Sequence, residues 1–241
     1  DIIWHRVGPL LDRPGEAAAR AVNLVEYEGD DVAAVDAQAS GLLAQVAAQS
    51  AGTGQPLGAY MAADETERAA LWDLRKKGVG LLGKLPGNRK PSPFVEDTVV
   101  PPEHLPAYVA EFRALLEEAG VSYGMFGHID VGCLHVRPAL DMTDPEDAAK
   151  VRWISERVAD LVQGYGGVLW GEHGKGFRAE FNPTFFGERL YGALREIKAV
   201  FDPTGRLNPG KITTPAGTTL PLASIDAPTR GAQDRQIPAE T

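Results

Sequence analysis

Three histidines and one glutamate carry the chemical interest of this sequence. His128 and His135 lie at the ends of HIDVGCLH, and His173 follows Glu172 in GEHGKG (171–176). Two imidazoles and a carboxylate form a recurring catalytic metal site, in which three protein ligands leave one position open for water or substrate. His128, His135 and Glu172 are therefore candidate ligands for a divalent metal, and His173 is left over as a base beside it. If Val131 and Gly132 form a two-residue hairpin loop, His128 lies directly opposite His135, with Cβ atoms about 5 Å apart on one face. A longer loop changes that register, and two histidines that only pack or hydrogen-bond at a strand end have the same spacing. Glu172 and His173 point oppositely in a regular strand, so both can serve only in a turn or from two sides of one site. Gly171, Gly174 and Gly176 clear side chains from around them. The plainer reading of GEHGKG is a glycine-rich turn with a solvated Glu-His pair.

The surrounding pattern predicts the elements that hold these residues. Ala21–Glu28 alternates apolar and polar residues and reads as a strand. Asp30 or Asp31 can cap a helix over Val32–Gln49. Leu57–Ala62 reads as a short strand, and Asp64 starts a helix to about Lys77 with Glu67 as its capping-box partner. The basic, glycine-rich stretch 76–93 is either a functional loop or a mobile surface connection. Phe94–Val100 reads as a strand, and Pro101-Pro102 end it and start a helix over Glu103–Ala119. Strands Val121–His128 and Cys133–Arg137, a helix Pro145–Gln163 capped by Asp144, a strand Gly167–Trp170 and a helix Pro183–Phe201 complete the pattern. An α+β fold follows, with an antiparallel sheet covered by helices in ferredoxin-like halves.

The chain has 241 residues, 44% of them hydrophobic and 24% charged, the balance of an ordinary globular protein. Its formal net charge of −9 gives nucleic-acid binding a poor start. No apolar run reaches the length of a membrane span, and no secretory signal opens the chain. The single cysteine, Cys133, cannot form an intramolecular disulfide or a cysteine-rich zinc site. These features predict a cytoplasmic protein, with room for a longer parent chain to sit peripherally on the inner membrane. The chain begins with Asp rather than Met and reads as a piece of something longer.

Four segments, LWDLRKKG (71–78), FGHIDVGCLH (126–135), GGVLWGEHGKG (166–176) and FDPTGRLNPGK (201–211), occur in the order found in one family. The chain resembles the C-terminal, or cap, domain of FAD-linked oxidases of the vanillyl-alcohol oxidase type. Its likeness is greatest to the D-2-hydroxyglutarate, D-lactate and glycolate dehydrogenase branch. VEDTVVP (95–101) fits the same pattern. The resemblance implies a flavoprotein that oxidises a small D-2-hydroxy acid, with 2-hydroxyglutarate favoured. His128, His135 and Glu172 fall on its metal ligands, commonly for zinc, and His173 on its general base. Arg75 falls on the arginine that meets the substrate carboxylate, although its position alone fits a cation at a helix C-terminus.

Asn208 and Lys211 fall in the last motif, as cofactor-binding candidates. The FGHIDVGCLH motif departs from the family at Asp130, Val131 and Cys133, and Val79 stands where a small polar residue is usual four after the arginine. Arg137 and Lys175, with Lys84, Arg89, Lys90 and Arg178, are then candidates to grip substrate. PTRGAQDRQIP (228–238) resembles the connection to an iron–sulfur region in long bacterial members. The resulting division is 1–20 as an N-terminal segment, 21–213 as the cap domain, and 214–241 as an arm towards that iron–sulfur region. The FAD domain and iron–sulfur region of the same polypeptide would be the partners, with the electron acceptor open. A zinc hydrolase built on the same His2Glu set and a non-catalytic docking module are the alternatives.

Overall fold

The computed structural model describes residues 21–49, 56, 58–62, 64–81, 87–174 and 176–226. The chain divides into two compact units, Asp1–Lys84 and Leu85–Thr241. The first contains helices α1 (Val32–Gln49) and α2 (Glu65–Leu81). Asp31 caps α1 by accepting from the backbone N–H groups of Ala33 and Ala34 at 2.9 and 3.3 Å. Asp64 caps α2 by accepting from the Glu67 N–H at 2.9 Å. The Glu67 carboxylate accepts from the Tyr60 hydroxyl. α2 also runs past its expected end near Lys77.

The strands expected at Ala21–Glu28 and Leu57–Ala62 do not form among the described residues, and Leu57 itself lies outside them. Val22 and Val25 are more than half exposed. Alternating residues make a strand only when a neighbour completes the ladder and a face is buried, and among the described residues neither condition is met here. One antiparallel sheet, in the second unit, therefore carries the α+β character.

That sheet is organised around β4 (Cys133–Leu140). β3 (Tyr123–His128) pairs along one side of it, while β1 (Lys90–Pro91) and β2 (Thr98–Val99) pair with its two ends on the other, all antiparallel. Because strand side chains alternate, β4 serves two purposes. Leu134, Val136 and Leu140 join the main core, to which α3 (Leu105–Glu118) gives Tyr108, Phe112 and Leu116, and α4 (Pro145–Gly164) gives Ile154, Val158 and Val162. Cys133, His135 and Arg137 occupy the opposite face. Asp144 caps α4 as expected, accepting from the Glu146 N–H at 2.9 Å.

The β3–β4 loop corrects the expected register. His128 pairs with Cys133 and Phe126 with His135, so the connection is the four-residue Ile129–Gly132 turn. Gly132 has φ +72°, and a Cβ there would sit 1.9 Å from the Val100 carbonyl oxygen. Only glycine lets the loop close so tightly against the chain beyond β2. The register differs from the expected one by two residues rather than one, so both histidines stay on the same face.

Other elements are shorter than their patterns implied. Of Phe94–Val100 only Thr98–Val99 forms a strand, because Asp97 turns the chain at φ +70°. Gly167–Trp170 contributes a single bridge, Val168 to Val99. The helix after Pro101-Pro102 opens as a 3-10 turn at Pro102–His104. α5 (Asn182–Phe201) is interrupted at Gly187, whose φ and ψ of 69° and 169° are non-helical. No helix among the described residues is long and apolar enough to cross a membrane.

Asp202 closes α5 by accepting from the N–H groups of Arg206 and Leu207 at 2.8 and 2.9 Å and pairing with Lys198 at 2.9 Å. The Lys198 ammonium and these N–H donors hold its carboxyl down to about 2, below its ordinary 3.8. A depressed native pKa stabilises the fold above the unfolded value, and that contribution is lost as pH falls through the native one. Asp202→Asn is expected to be less stable than the native chain above about pH 4, the usual carboxylate range. The difference should close as pH falls from 3.8 towards about 2, read by urea unfolding at stepped pH. A constant difference across that window would contradict the assignment.

Candidate metal and proton-transfer site

The second unit gathers its reactive side chains on the open face of β4. Glu172 Oε1 is the point of convergence: His135 Nε2 lies 2.7 Å away, His128 Nε2 3.2 Å and His173 Nε2 3.8 Å. His135 is 2% exposed, while the side chains of His128, Glu172 and His173 are 42 to 47% exposed. The site thus has a buried floor and an open mouth. The His135 ring is edge-on to His128 at 5.6 Å and stacked on His173 at 4.8 Å.

Burial holds His135 below the usual imidazole range, with the Glu172 hydrogen bond acting in the opposite direction. Neutral imidazole is the form that ligates metal. The His135 Nδ1 is buried without a hydrogen-bond partner, so its polar contacts are all on the Nε2 side, at the site.

Asp97 makes the turn that presents Glu172 and His173 together. It is fully buried, and its two oxygens accept from the Glu172 N–H at 2.8 Å and the His173 N–H at 2.9 Å. The Asp97 carbonyl accepts from the Gly171 N–H at 2.8 Å. A Cβ at Gly171 would fall 2.9 Å from Asp97 Oδ1 and 3.0 Å from Cys133 Sγ. Gly171 is therefore required for the turn to reach Asp97. Ligand atoms of Asp97, His135, Glu172 and His173 all lie within 4.8 Å of one another. Asp97 already has an N–H on each oxygen, which marks it as the clamp of the turn. The Cys133 thiol lies 3.8 Å from Asp97 Oδ1, and burial together with Asp97 pushes its pKa up to about 12, so it stays protonated.

Glu96 completes the arrangement, with Oε1 3.4 Å from His173 Nδ1 and Oε2 2.9 and 3.0 Å from the Arg137 guanidinium. Arg178 donates to the Glu96 carbonyl, and desolvation lowers its pKa while the Asp97 and Glu96 charges oppose that fall. Arg89, another candidate for substrate, forms two bonds to the buried Asp147 at 2.8 and 3.0 Å.

The structure thus brings together His128, His135, Glu172 and His173, with Arg137 joined to them through Glu96. Asn208 and Lys211 lie instead in the turn after α5, where the Lys211 N–H donates to the Asn208 carbonyl at 3.1 Å. Arg75 lies on α2 in the first unit. Lys84 and Lys175 lie outside the described residues, as do residues 228–238 of the tail. Asp97 and Glu96 are the site residues that the motif reading passed over. Their sequence signal was adjacent carboxylates inside an otherwise apolar run.

The cluster lies on one face of a helix-backed antiparallel sheet, and its side chains are of the types that can hold a divalent ion and move a proton. The chain belongs to the family of FAD linked oxidases, C-terminal domain, which it matches over residues 4–212. It is 50% identical over 242 residues to D-2-hydroxyglutarate dehydrogenase of Escherichia coli (strain K12), covering 99% of this chain and 24% of that protein. Its identity to D-2-hydroxyglutarate dehydrogenase of Pseudomonas putida is 49% over 238 residues, 98% of this chain and 23% of that protein. The Bacillus subtilis (strain 168) protein "Glycolate oxidase subunit GlcD" is 28% identical over 160 residues, 66% of this chain and 33% of that protein. The chain spans about a quarter of the length of the D-2-hydroxyglutarate dehydrogenases it matches.

Proposed function

We propose that this chain is the substrate- and metal-holding part of a flavin-dependent dehydrogenase that oxidises a D-2-hydroxy acid, with 2-hydroxyglutarate favoured, to the 2-oxo acid. The observation that carries the reading is the convergence of His128, His135 and His173 on one oxygen of Glu172, in a chain of this family. The names of the relatives at 49 and 50% identity support the substrate class.

Two imidazoles and a carboxylate fit a divalent ion of the zinc class. His128, His135 and Glu172 would hold it. When bound, the cation supplies positive charge that eases loss of the hydroxyl proton, and the flavin supplies the acceptor for the hydride from the α-carbon.

The chain's own residues do the rest. His173 Nε2 accepts the hydroxyl proton. Asp97 keeps His173 and Glu172 on one side by fixing their backbone N–H groups. His135, packed against Phe126 and His173, gives the cluster a rigid floor. By the resemblance of LWDLRKKG, Arg75 is the candidate for the substrate carboxylate, a group that arginine can hold bidentately. Onward electron transfer through an iron–sulfur region of the same polypeptide rests on the likeness of the tail to that connection.

The test is metal and flavin content of the purified chain, with turnover of the complete polypeptide on D-2-hydroxyglutarate. One zinc-class ion per chain, with flavin reduction by substrate in the complete polypeptide, is the expected result. Hydrolytic turnover without flavin, or full-rate oxidation by His173→Ala, would overturn it.

A further inference from the structure

We propose that Glu96 is the positioning residue for His173: it takes the Nδ1 side of the ring and leaves Nε2 facing Glu172, where the substrate proton is received. The inference deepens the reading of His173 as the base and rests on it.

Glu96 has the geometry for this role. Its side chain is 14% exposed, and its two oxygens are divided between two partners. Oε2 accepts from Nε of Arg137 at 3.0 Å and forms an ion pair with its Nη2 at 2.9 Å. Arg137 in turn lies over the Phe126 ring, 5.6 Å from its centroid. Oε1 is thereby left for His173 Nδ1, at 3.4 Å. Arg178 anchors the Glu96 backbone through its carbonyl.

A carboxylate can only accept, and Glu96 Oε1, 3.4 Å from Nδ1, is nearer the ring than Glu172 Oε1, 3.8 Å from Nε2, so the tautomer with its proton on Nδ1 is favoured. That tautomer leaves a lone pair on Nε2, 3.8 Å from Glu172 Oε1. Stacking on His135 at 4.8 Å and 22° restrains the ring from turning over. Arg137 then acts as the group that holds Glu96 in place.

Glu96→Gln is the informative variant. The amide has one acceptor oxygen where the carboxylate has two, so it cannot serve both Arg137 and His173. In the complete flavin-loaded polypeptide, kcat on D-2-hydroxyglutarate is expected to fall about 10–100-fold, the usual cost of losing a group that orients a reactive side chain, with KM little changed. Combined with His173→Ala it should cause no further loss, because the two residues act as one unit. An unchanged kcat, or losses that multiply in the double variant, would overturn the proposal.

A second readout does not need turnover. Nitrogen-15 spectra of the His173 ring in this chain, taken at about pH 8.5, above the ordinary imidazole range, should show the Nδ1–H tautomer in the native protein. Glu96→Gln should shift it towards the Nε2–H form. A native ring already in the Nε2–H form sinks the proposal even if the enzyme is active. If the complete polypeptide oxidises no hydroxy acid, the functional reading fails, and the ring spectra still decide the role of Glu96.

Discussion

Asp97→Asn is expected to destabilise the second unit by about 2–4 kcal/mol and to weaken zinc binding at the proposed His128, His135 and Glu172 site at the same time. The side chain is fully buried, and each oxygen accepts a backbone N–H, at 2.8 Å from Glu172 and 2.9 Å from His173. Asparagine has nearly the same shape but keeps a single acceptor. Its NH2 group must then face one of the two N–H donors, which leaves a buried donor against a donor. A charge-assisted hydrogen bond is lost, and the Arg178 guanidinium, 4.0 Å from Asp97 Oδ2, loses negative charge beside it. The turn carrying Glu172 and His173 then has no clamp. Zinc affinity should fall about 10–100-fold, in line with groups that orient a ligand without touching the ion. Urea unfolding read by circular dichroism, together with calorimetric titration of zinc, tests both parts. A variant with the native midpoint and native affinity would show that the turn is held by other contacts.

The long helices were legible because each carried its own signals. Asp31, Asp64 and Asp144 cap the helices they were expected to cap. The strands were less legible because their pairing depends on distant partners. AVNLVEYE alternates as a strand should, yet no ladder forms there among the described residues. β2 is cut short by Asp97, whose positive φ serves a turn more than 70 residues away.

The metal candidates were visible from residue type and from the H-x6-H spacing. Their register was not, because whether Ile129–Val131 coils into the turn depends on Gly132 meeting the Val100 carbonyl. The face survived the error only because the shift was even. Arg137 shows the converse limit. As an isolated arginine on a strand it reads as an anion grip, and only the fold reveals that Glu96 already engages it.

His128→Ala should separate chemistry from stability more cleanly than any other change at the site. His128 sits at the end of β3 with its side chain 42% exposed, so its removal leaves no closed cavity and the stability change should be within about 0.5 kcal/mol. His135→Ala, by contrast, empties a buried position that is 2% exposed and disturbs both structure and site. Loss of His128 removes one of three proposed ligands, and with it one of the three imidazole nitrogens gathered around Glu172 Oε1. Zinc affinity should fall by more than the roughly 10–100-fold expected for an orienting group. In the complete polypeptide, turnover of D-2-hydroxyglutarate should fall with it and recover partly as zinc is raised, since weakened binding can be overcome by mass action. Equilibrium dialysis of zinc against the native chain and the variant, beside their urea midpoints, gives the decisive pair of numbers. Native zinc affinity in a well-folded His128→Ala protein would remove His128 from the ligand set. The set would then be His135 and Glu172, with His173 as a third ligand in place of a base.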